Sequence, residues 1–425
     1  MSPRSVLLLG GALFLLYAFP GWMSTDSAVQ LLEARSGRFS DAHPPLMSAM
    51  WRYLDMIVAG PILMLLLQLS LFLGGLYFIL RRIVEARPAA WIAIGILLFP
   101  PVMTPMAVIW KDSQMAAFLI AGIAGVVQPR TRYRLLGAVL LVLACALRHN
   151  ALAAVVPLVV VLVNFSKWAR WQRVALAVGG GAMVVAGGFA VTKVLTTNHS
   201  PITPVWQDIV AVLACTDDRS DEDLREVLRG TPLAVDSGIQ ARARKLHSLR
   251  GAWRITIGDD RLFIQTSGMD WRPLNRAWRE LVFGDPLAYF ACHLDDFQYL
   301  LGIPEDSVWA TVWNIPIENQ AQMDWIEHNA EWSSIQYHLA WPLYWAAAAT
   351  PLFTPWVYGA IGLLLLVLCC RDRLTFGLLA SGFLYEASYF PFSPTPDYRY
   401  SHWMITVVCV ATVILFIQRL RTRPA

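Results

Sequence analysis

Four short polar clusters hold most of the residues whose side chains suit chemistry, and each cluster borders an apolar run. In chain order they contain Asp26, Asp41 and His43; Trp110, Lys111 and Asp112; Arg148, His149 and Asn150; and Asp397, Tyr398, Arg399 and Tyr400. An ionised carboxylate accepts a proton from a hydroxyl group, and an arginine fork matches the oxygens of a phosphate. These residue types together predict general-base chemistry on a substrate that carries a phosphate.

Asp26 is the first candidate for the catalytic base. It follows the apolar run 6–22, and the residues after it have the pattern of an amphipathic helix lying on a membrane surface. Asp26 then falls at the N-cap or in the first helical turn, where carboxylates are common for capping alone. A capped carboxylate stays ionised, so capping and catalysis are compatible. The catalytic interpretation is favoured.

Asp112 is the second candidate for a catalytic carboxylate. The alternative is a helix cap, with Lys111 extending to the membrane surface. In the functional interpretation Asp112 orients another polar group, or joins Asp26 at a divalent cation such as Mg²⁺ or Mn²⁺. The sequence does not require a metal, and it contains no spacing typical of a zinc site.

The remaining polar residues of the clusters divide into two groups. Arg399, Tyr400, Arg148 and Lys111 are predicted to bind a donor phosphate, although Arg399 has the alternative of pairing with Asp397 or lying among lipid headgroups. The residues predicted to contact the sugar or the acceptor are His43, His149, Asn150 and Asp397. No glycine-rich phosphate loop occurs, so a lipid phosphate is expected rather than a nucleotide.

The composition indicates a multi-pass membrane protein. Of 425 residues, 56% are apolar and 15% are charged. The net charge of +4 is too small to indicate a nucleic-acid partner. We predict an all-α fold with about ten transmembrane helices. The segments are 6–22, 61–80, 88–104, 113–127, 135–147, 151–163, 174–194, 356–370, 374–390 and 402–416.

Charge predicts the orientation of these segments. Basic residues follow every even-numbered segment, and such residues mark cytoplasmic ends. The pattern requires 135–163 to be two segments rather than one long helix, with a break at Arg148-His149-Asn150. All four polar clusters then face the periplasm of a bacterial inner membrane, where we expect a polar cavity open to the outside.

The longest outward loop, 196–355, is predicted to be a mainly helical extracytoplasmic domain. It separates a membrane module at 1–195 from C-terminal membrane helices at 356–425. Cys215 and Cys292 lie in this loop, and spacing alone neither establishes nor excludes a bond between them. The other four cysteines lie in or beside apolar runs and are expected to be buried.

In the motifs Thr25-Asp26-Ser27, His43-Pro44-Pro45-Leu46, Trp110-Lys111-Asp112, Leu147-Arg148-His149-Asn150 and Asp397-Tyr398-Arg399-Tyr400, the chain resembles the GT-C superfamily. These integral-membrane glycosyltransferases, including mannosyltransferase and aminoarabinose-transferase types, use polyprenyl-phosphate-linked sugars. The resemblance covers about 1–165 and 374–418. It implies that Asp26 deprotonates the acceptor in an inverting displacement, that Arg399 holds the donor phosphate and that Asp112 is the second-loop acid. Ser27 stands where some members have a further acid.

We therefore expect a glycosyltransferase whose partners are a lipid-linked sugar donor, membrane lipid and an acceptor glycan, lipid or protein. A transporter or flippase of lipid-linked saccharides is the alternative, but one-sided polar clusters and dissimilar halves argue against alternating access. A polymerase or ligase of surface glycans would share the same substrates. No cofactor is expected beyond the divalent cation left open above.

Overall fold

The structure is a computed structural model that describes most of the chain. The described ranges are 1–41, 43–162, 170–197, 204–217, 219–233, 238–246, 262, 271–304, 333–369, 372–391 and 396–422. Within them the regular structure is helical and no strand occurs, apart from an isolated bridge between Trp22 and Val108. The chain forms two compact units. Unit 1 comprises Met1–Asn198, Trp309–Ala387 and Tyr398–Ala425, and unit 2 comprises His199–Val308 and Ser388–Asp397.

Fourteen of the α-helices described belong to unit 1 and five to unit 2. Those of unit 1 are α1 (Pro3–Ala18), α2 (Thr25–Ser36), α3 (Leu46–Asp55), α4 (Ile62–Leu80), α5 (Ala86–Leu97), α6 (Pro100–Met106), α7 (Lys111–Val126), α8 (Thr131–Leu147), α9 (Ala151–Leu162), α10 (Arg170–Leu195), α16 (Ser334–Ala349), α17 (Pro355–Leu368), α18 (Arg373–Ala387) and α19 (His402–Thr422). Those of unit 2 are α11 (Pro204–Cys215), α12 (Asp221–Val227), α13 (Ile239–Leu246), α14 (Trp271–Gly284) and α15 (Pro286–Leu301).

The apolar segments of the sequence become helices of unit 1. Nine of the ten expected segments coincide with one helix each, and the single segment expected at 88–104 is instead the pair α5 and α6, bent by 74°. The bend follows from Pro100 and Pro101. Proline is well suited to a first helical turn, but it disfavours helical backbone at the residue before it, here Phe99.

The break expected at residues 148–150 is confirmed. Arg148 ends α8 in an extended conformation, with φ −153° and ψ 126°. The backbone N–H groups of Ala151 and Leu152 then donate to the carbonyls of Arg148 and His149 and start α9. Residues 135–162 are thus two helices, and Arg148 lies at the turn between them.

In the part of the chain that the structure describes, three helices are long and apolar enough to cross a membrane by their length and composition. They are Ile62–Leu80, Val178–Leu195 and Tyr398–Arg421, with α5 and α6 as a fourth if the bent pair counts as one span. Shorter apolar helices occur at Pro3–Ala18, Ala151–Val160 and Pro355–Leu368. The coarser expectation of an all-helical chain with helices of membrane-spanning character therefore holds, whereas ten spans and their orientation stay predictions.

Helices α7 and α8 pack unusually closely because glycine lies where they meet. A Cβ atom added to Gly137 of α8 would lie 2.5 Å from the Val126 nitrogen and 2.6 Å from the Gly122 oxygen of α7. These atoms belong to backbone and have little freedom to move, so only glycine allows this approach. The packing places the C-terminal end of α8, with Arg148, beside the N-terminal end of α7, with Asp112.

Hydrogen bonds hold the start of α2 against the segment that leads into α7. The Ile109 N–H donates to the Trp22 carbonyl over 2.8 Å, and the Ser27 hydroxyl donates to the Ile109 carbonyl over 2.7 Å. The indole of Trp110 donates to the hydroxyl of Ser24, the N-cap of α2, over 2.8 Å. The first turns of α2 and α7 are therefore neighbours although they are far apart in sequence.

Unit 2 is a small helical domain with its own apolar core, drawn chiefly from α11 to α14, with Tyr289 of α15 packed against it. A disulfide joins Cys215 to Cys292, which resolves the pairing that the spacing left open. Asp208 of α11 accepts hydrogen bonds from Trp278 and from His293, the latter over 2.9 Å. The predicted domain extended to residue 355. Helix α16 lies within that predicted range but belongs to unit 1.

Candidate functional site

The carboxylate of Asp26 lies among basic side chains from three distant parts of unit 1. Arg399 Nη1 is 2.9 Å and Lys111 Nζ 3.9 Å from Asp26 Oδ2, and His43 Nε2 is 3.9 Å from Oδ1. Asp26 is in the first turn of α2, where the helix dipole also favours its negative charge. Burial opposes ionisation, but the charges of Arg399 and Lys111 outweigh it and hold the pKa of Asp26 well below its ordinary value.

Asp112, in the first turn of α7, forms a second, deeper carboxylate site. Its side chain is only 1% exposed, and Arg148 Nη1 lies 2.7 Å from Oδ1 and 2.8 Å from Oδ2. The Tyr385 hydroxyl donates to Oδ1 over 3.3 Å, and Arg399 Nε lies 4.0 Å from Oδ2. Arg399 is therefore shared by Asp26 and Asp112, and the two carboxylates belong to one cluster.

Lys111 and His43 are coupled by a hydrogen bond of 2.7 Å between Lys111 Nζ and His43 Nδ1. Burial lowers the pKa of Lys111 to about 8, helped by Arg148 and Arg399 and opposed by Asp26. The charge of Lys111, with burial, lowers the pKa of His43 to about 3. At neutral pH a protonated Lys111 thus donates to a neutral His43, which directs the remaining ring N–H of His43 toward Asp26.

Aromatic rings support the two arginines of the cluster. The Arg148 guanidinium lies 4.6 Å from the centroid of Tyr400, and that of Arg399 lies 5.0 Å from Trp110 and 5.4 Å from Tyr400. Such contacts attract a cation to the ring face and fix the plane of the guanidinium. Tyr400, expected to bind phosphate, therefore contacts the phosphate-binding candidates directly.

The structure brings seven of the ten predicted site residues together in one cluster. Asp26, His43, Lys111, Asp112, Arg148, Arg399 and Tyr400 come together in unit 1 through the contacts given above. His149 stacks its ring on Phe189 at 5.5 Å, and Asn150 lies at the start of α9. Asp397 is counted with unit 2, so its predicted contact with sugar or acceptor stays a prediction. Arg399 pairs with Asp26; its alternatives, a pair with Asp397 or a position among lipid headgroups, stay predictions.

Sequence reasoning missed two supporting residues. Tyr385 lies within the apolar helix α18, where a phenol looks like an ordinary aromatic side chain and carries no signal of its bond to Asp112. Ser24 was not distinguished from the other polar residues of the first loop, although it caps α2 and accepts from Trp110. The available signal was the spacing of Ser24 and Ser27, three residues apart at the start of an amphipathic pattern, which is the spacing of a capping box.

The divalent cation left open by the sequence can be tested against the chemistry of this cluster. A cation bridging Asp26 and Asp112 would need the position that the Arg399 guanidinium shares between them. Lys111 and Arg148 would repel it further. The residues as placed fit an anion better than Mg²⁺ or Mn²⁺, and no mechanistic step below passes through a metal.

No protein-family model, curated protein or solved structure matches the chain. The resemblance to the GT-C superfamily therefore depends on the short motifs alone. The roles assigned to Asp26, Asp112 and Arg399 remain predictions, while their mutual distances are properties of unit 1.

Proposed function

We propose that this chain is a membrane glycosyltransferase that moves a sugar from a polyprenyl-phosphate donor to a hydroxyl group of an acceptor glycan, lipid or protein. The proposal includes a GT-C-like arrangement of about ten membrane helices, with the site facing the periplasm of a bacterial inner membrane. The observation that carries it is the shared position of Arg399, 2.9 Å from Asp26 and 4.0 Å from Asp112.

The charge of the cluster suits a phosphodiester. Lys111, Arg148 and Arg399 supply three cations against the two carboxylates of Asp26 and Asp112, so one positive charge is left for a ligand. As the bond from the anomeric carbon to the phosphate oxygen breaks, its electron pair passes to that oxygen. The leaving lipid phosphate gains negative charge, and cations already in place stabilise this charge where it develops.

Asp26 is proposed as the general base. The acceptor oxygen attacks the anomeric carbon on the face opposite the phosphate, which inverts the configuration, and the hydroxyl proton passes to the Asp26 carboxylate. Asp26 is 29% exposed and can be reached from solvent. While paired with Arg399 it is a weak base. A donor phosphate competes for that guanidinium and weakens the pair, so donor binding raises the basicity of Asp26.

The membrane character of unit 1 supports a lipid-linked donor. Asp112 opens α7, which packs against the apolar, span-length helix α4. Arg399 lies near the start of the helix Tyr398–Arg421, which is also of spanning length. A lipid phosphate lies at this kind of boundary between apolar helices and polar loops. The sequence also lacks the glycine-rich loop that binds nucleotide phosphates.

The proposal is tested by removing the proton acceptor while keeping its shape. In the Asp26→Asn variant we expect at least about a hundredfold slower transfer, because the amide cannot accept the proton. The measurement is mass spectrometry of envelope lipids and glycans from cells with the wild-type gene, a deletion or the variant. A mass increment of the size of one sugar should be present in cells with the wild-type gene. It should be absent from the deletion strain and from the variant.

A matched control separates this effect from general damage. Asp55 forms an ion pair of 2.9 Å with Arg35 outside the cluster, and Asp55→Asn should leave the increment unchanged. An increment that persists in Asp26→Asn at equal expression would remove Asp26 from the mechanism. Loss of the lipid-linked donor itself from the outer leaflet in the deletion strain would favour the transporter alternative.

A further inference from the structure

A lateral groove opens between α4, α7 and α8, away from the candidate site. Its volume is about 380 Å³, within the range of pockets that bind small molecules. Its apolar wall includes Gly74, Phe78, Ala121, Gly125, Leu136 and Leu140. Phe78 and Leu136 are each 55% exposed, so the groove opens on the outer surface of unit 1. The small residues leave space there for a chain-like apolar group.

One end of the groove is polar and basic. Gln128 and Tyr133 line the groove there. The Arg132 guanidinium donates to the Tyr133 hydroxyl over 3.1 Å and lies 4.8 Å from its ring centroid. Arg130 also acts electrostatically on Tyr133, and both arginines are exposed. The sequence from Gln128 to Leu140 contains no acidic residue, so this end of the groove presents net positive charge.

The groove and the candidate site lie at opposite ends of the same helix. Asp112 is in the first turn of α7 and Gly125 is in the last. At 1.5 Å per residue these positions are about 20 Å apart along the axis. This distance is about two thirds of the roughly 30 Å thickness of a bilayer's apolar core, so a ligand in the groove would not occupy the candidate site.

We propose that this groove binds an anionic phospholipid in the leaflet opposite the candidate site. One acyl chain lies along the apolar wall, and the headgroup phosphate contacts the guanidinium groups of Arg130 and Arg132. The apolar wall selects a lipid chain, and the cationic end selects a negative headgroup over a zwitterionic one. This inference goes beyond the proposed glycosyltransferase activity, since it assigns a second binding site with a different ligand.

The test is lipid binding to the purified full chain in a neutral detergent. Native mass spectrometry would compare phosphatidylglycerol with phosphatidylcholine carrying the same acyl chains. We expect a preference of about tenfold for the first bound phosphatidylglycerol. Equal binding of the two lipids by the wild-type chain would overturn the proposal.

Two variants locate the binding. A Cβ added to Gly74 meets no atom within 4 Å, so Gly74→Leu fills the groove without disturbing the helix contacts, and it should abolish the preferred lipid. Gly95→Leu on α5, where a Cβ also meets nothing within 4 Å, is the control and should bind as the wild type does. The double variant Arg130→Gln, Arg132→Gln should bind both lipids equally.

Three outcomes would contradict the proposed lipid site. If Gly74→Leu keeps the full preference, the bound lipid lies elsewhere and the groove is not its site. If Gly74→Leu changes the oligomeric mass instead of the lipid count, the groove is a contact between protein chains. If the double arginine variant keeps its preference, the headgroup is not recognised by these arginines.

Discussion

Lys111 is a residue of the candidate site whose charge changes close to physiological pH. Burial lowers its pKa to about 8, so it is protonated below that value and neutral above it. Its loss of charge removes one of the cations available to the donor phosphate. We therefore expect the KM for a polyprenyl-phosphate sugar to rise as the pH increases through about 8, with a smaller change in kcat. Steady-state kinetics between pH 6 and about 10 would measure this rise.

The variant Lys111→Arg gives the control for this effect. Arginine stays protonated across that range, so the rise in KM should disappear or move to much higher pH. The guanidinium group of arginine does not reproduce the short hydrogen bond from Lys111 Nζ to His43 Nδ1. Some loss of activity at neutral pH is therefore expected. An unchanged profile in Lys111→Arg would show that another group titrates.

At the residue scale, the members of the cluster were predictable from the sequence but their pairings were not. A charged residue at the end of one apolar segment is common, because it can reach the membrane surface. The signal that identified Asp26, Lys111, Asp112 and Arg399 was that all four polar clusters fall on one predicted side. That Arg399 pairs with Asp26 depends on the position of α2 in three dimensions. No local pattern in the sequence records such a contact.

At the element scale, Gly137 controls the approach of α8 to α7. In Gly137→Ala the new Cβ would meet backbone atoms at 2.5 and 2.6 Å, so the helices must separate. We expect a loss of about 1–3 kcal/mol in stability, together with reduced activity, because Arg148 moves relative to Asp112. Thermal unfolding in detergent would report the first effect, and transfer kinetics the second.

Gly95→Ala is the matched control, because its added Cβ meets no atom within 4 Å. It should stabilise α5 slightly, by up to about 1 kcal/mol, through helix propensity alone. Equal unfolding temperatures for the Gly137 and Gly95 variants would contradict the proposed role of close packing.

The apolar runs predicted the positions of most helices, but they did not predict bends in the helices or contacts between distant residues. The ends of α4 and α7 follow from the apolar run and the charged residues beside it. The bend between α5 and α6 follows from Pro100-Pro101, which was present in the sequence but was included within a single apolar segment. The bridge between Trp22 and Val108 joins residues far apart in the chain, and such a contact has no local signal.

At the scale of the whole molecule, the division into units was only partly predictable. A polar stretch between apolar segments indicated a separate domain, and unit 2 does form around its own core. The predicted domain also included α16, which belongs to unit 1. The Gln336 side chain of α16 donates to the Tyr17 carbonyl at the end of α1 over 3.2 Å. That contact joins parts of the chain more than three hundred residues apart.

The disulfide between Cys215 and Cys292 tests the predicted orientation of the chain. Such bonds persist in the periplasm and are rare in the bacterial cytosol. We expect protein trapped from intact cells with an alkylating reagent to contain the linked peptides, and to contain free thiols at both positions in cells that lack the periplasmic thiol oxidase. Removing the bond by Cys215→Ser with Cys292→Ser should destabilise unit 2 by about 2–5 kcal/mol.

This outcome bears on the candidate site as well as on unit 2. The basic ends of the predicted segments assign the loops that carry Asp26, Lys111, Arg148 and Arg399 to the same side of the membrane as unit 2. Free thiols at 215 and 292 in normal cells would place unit 2 in the cytosol and reverse that assignment. The site would then face a compartment rich in nucleotide-linked sugars, and a periplasmic acceptor would be excluded.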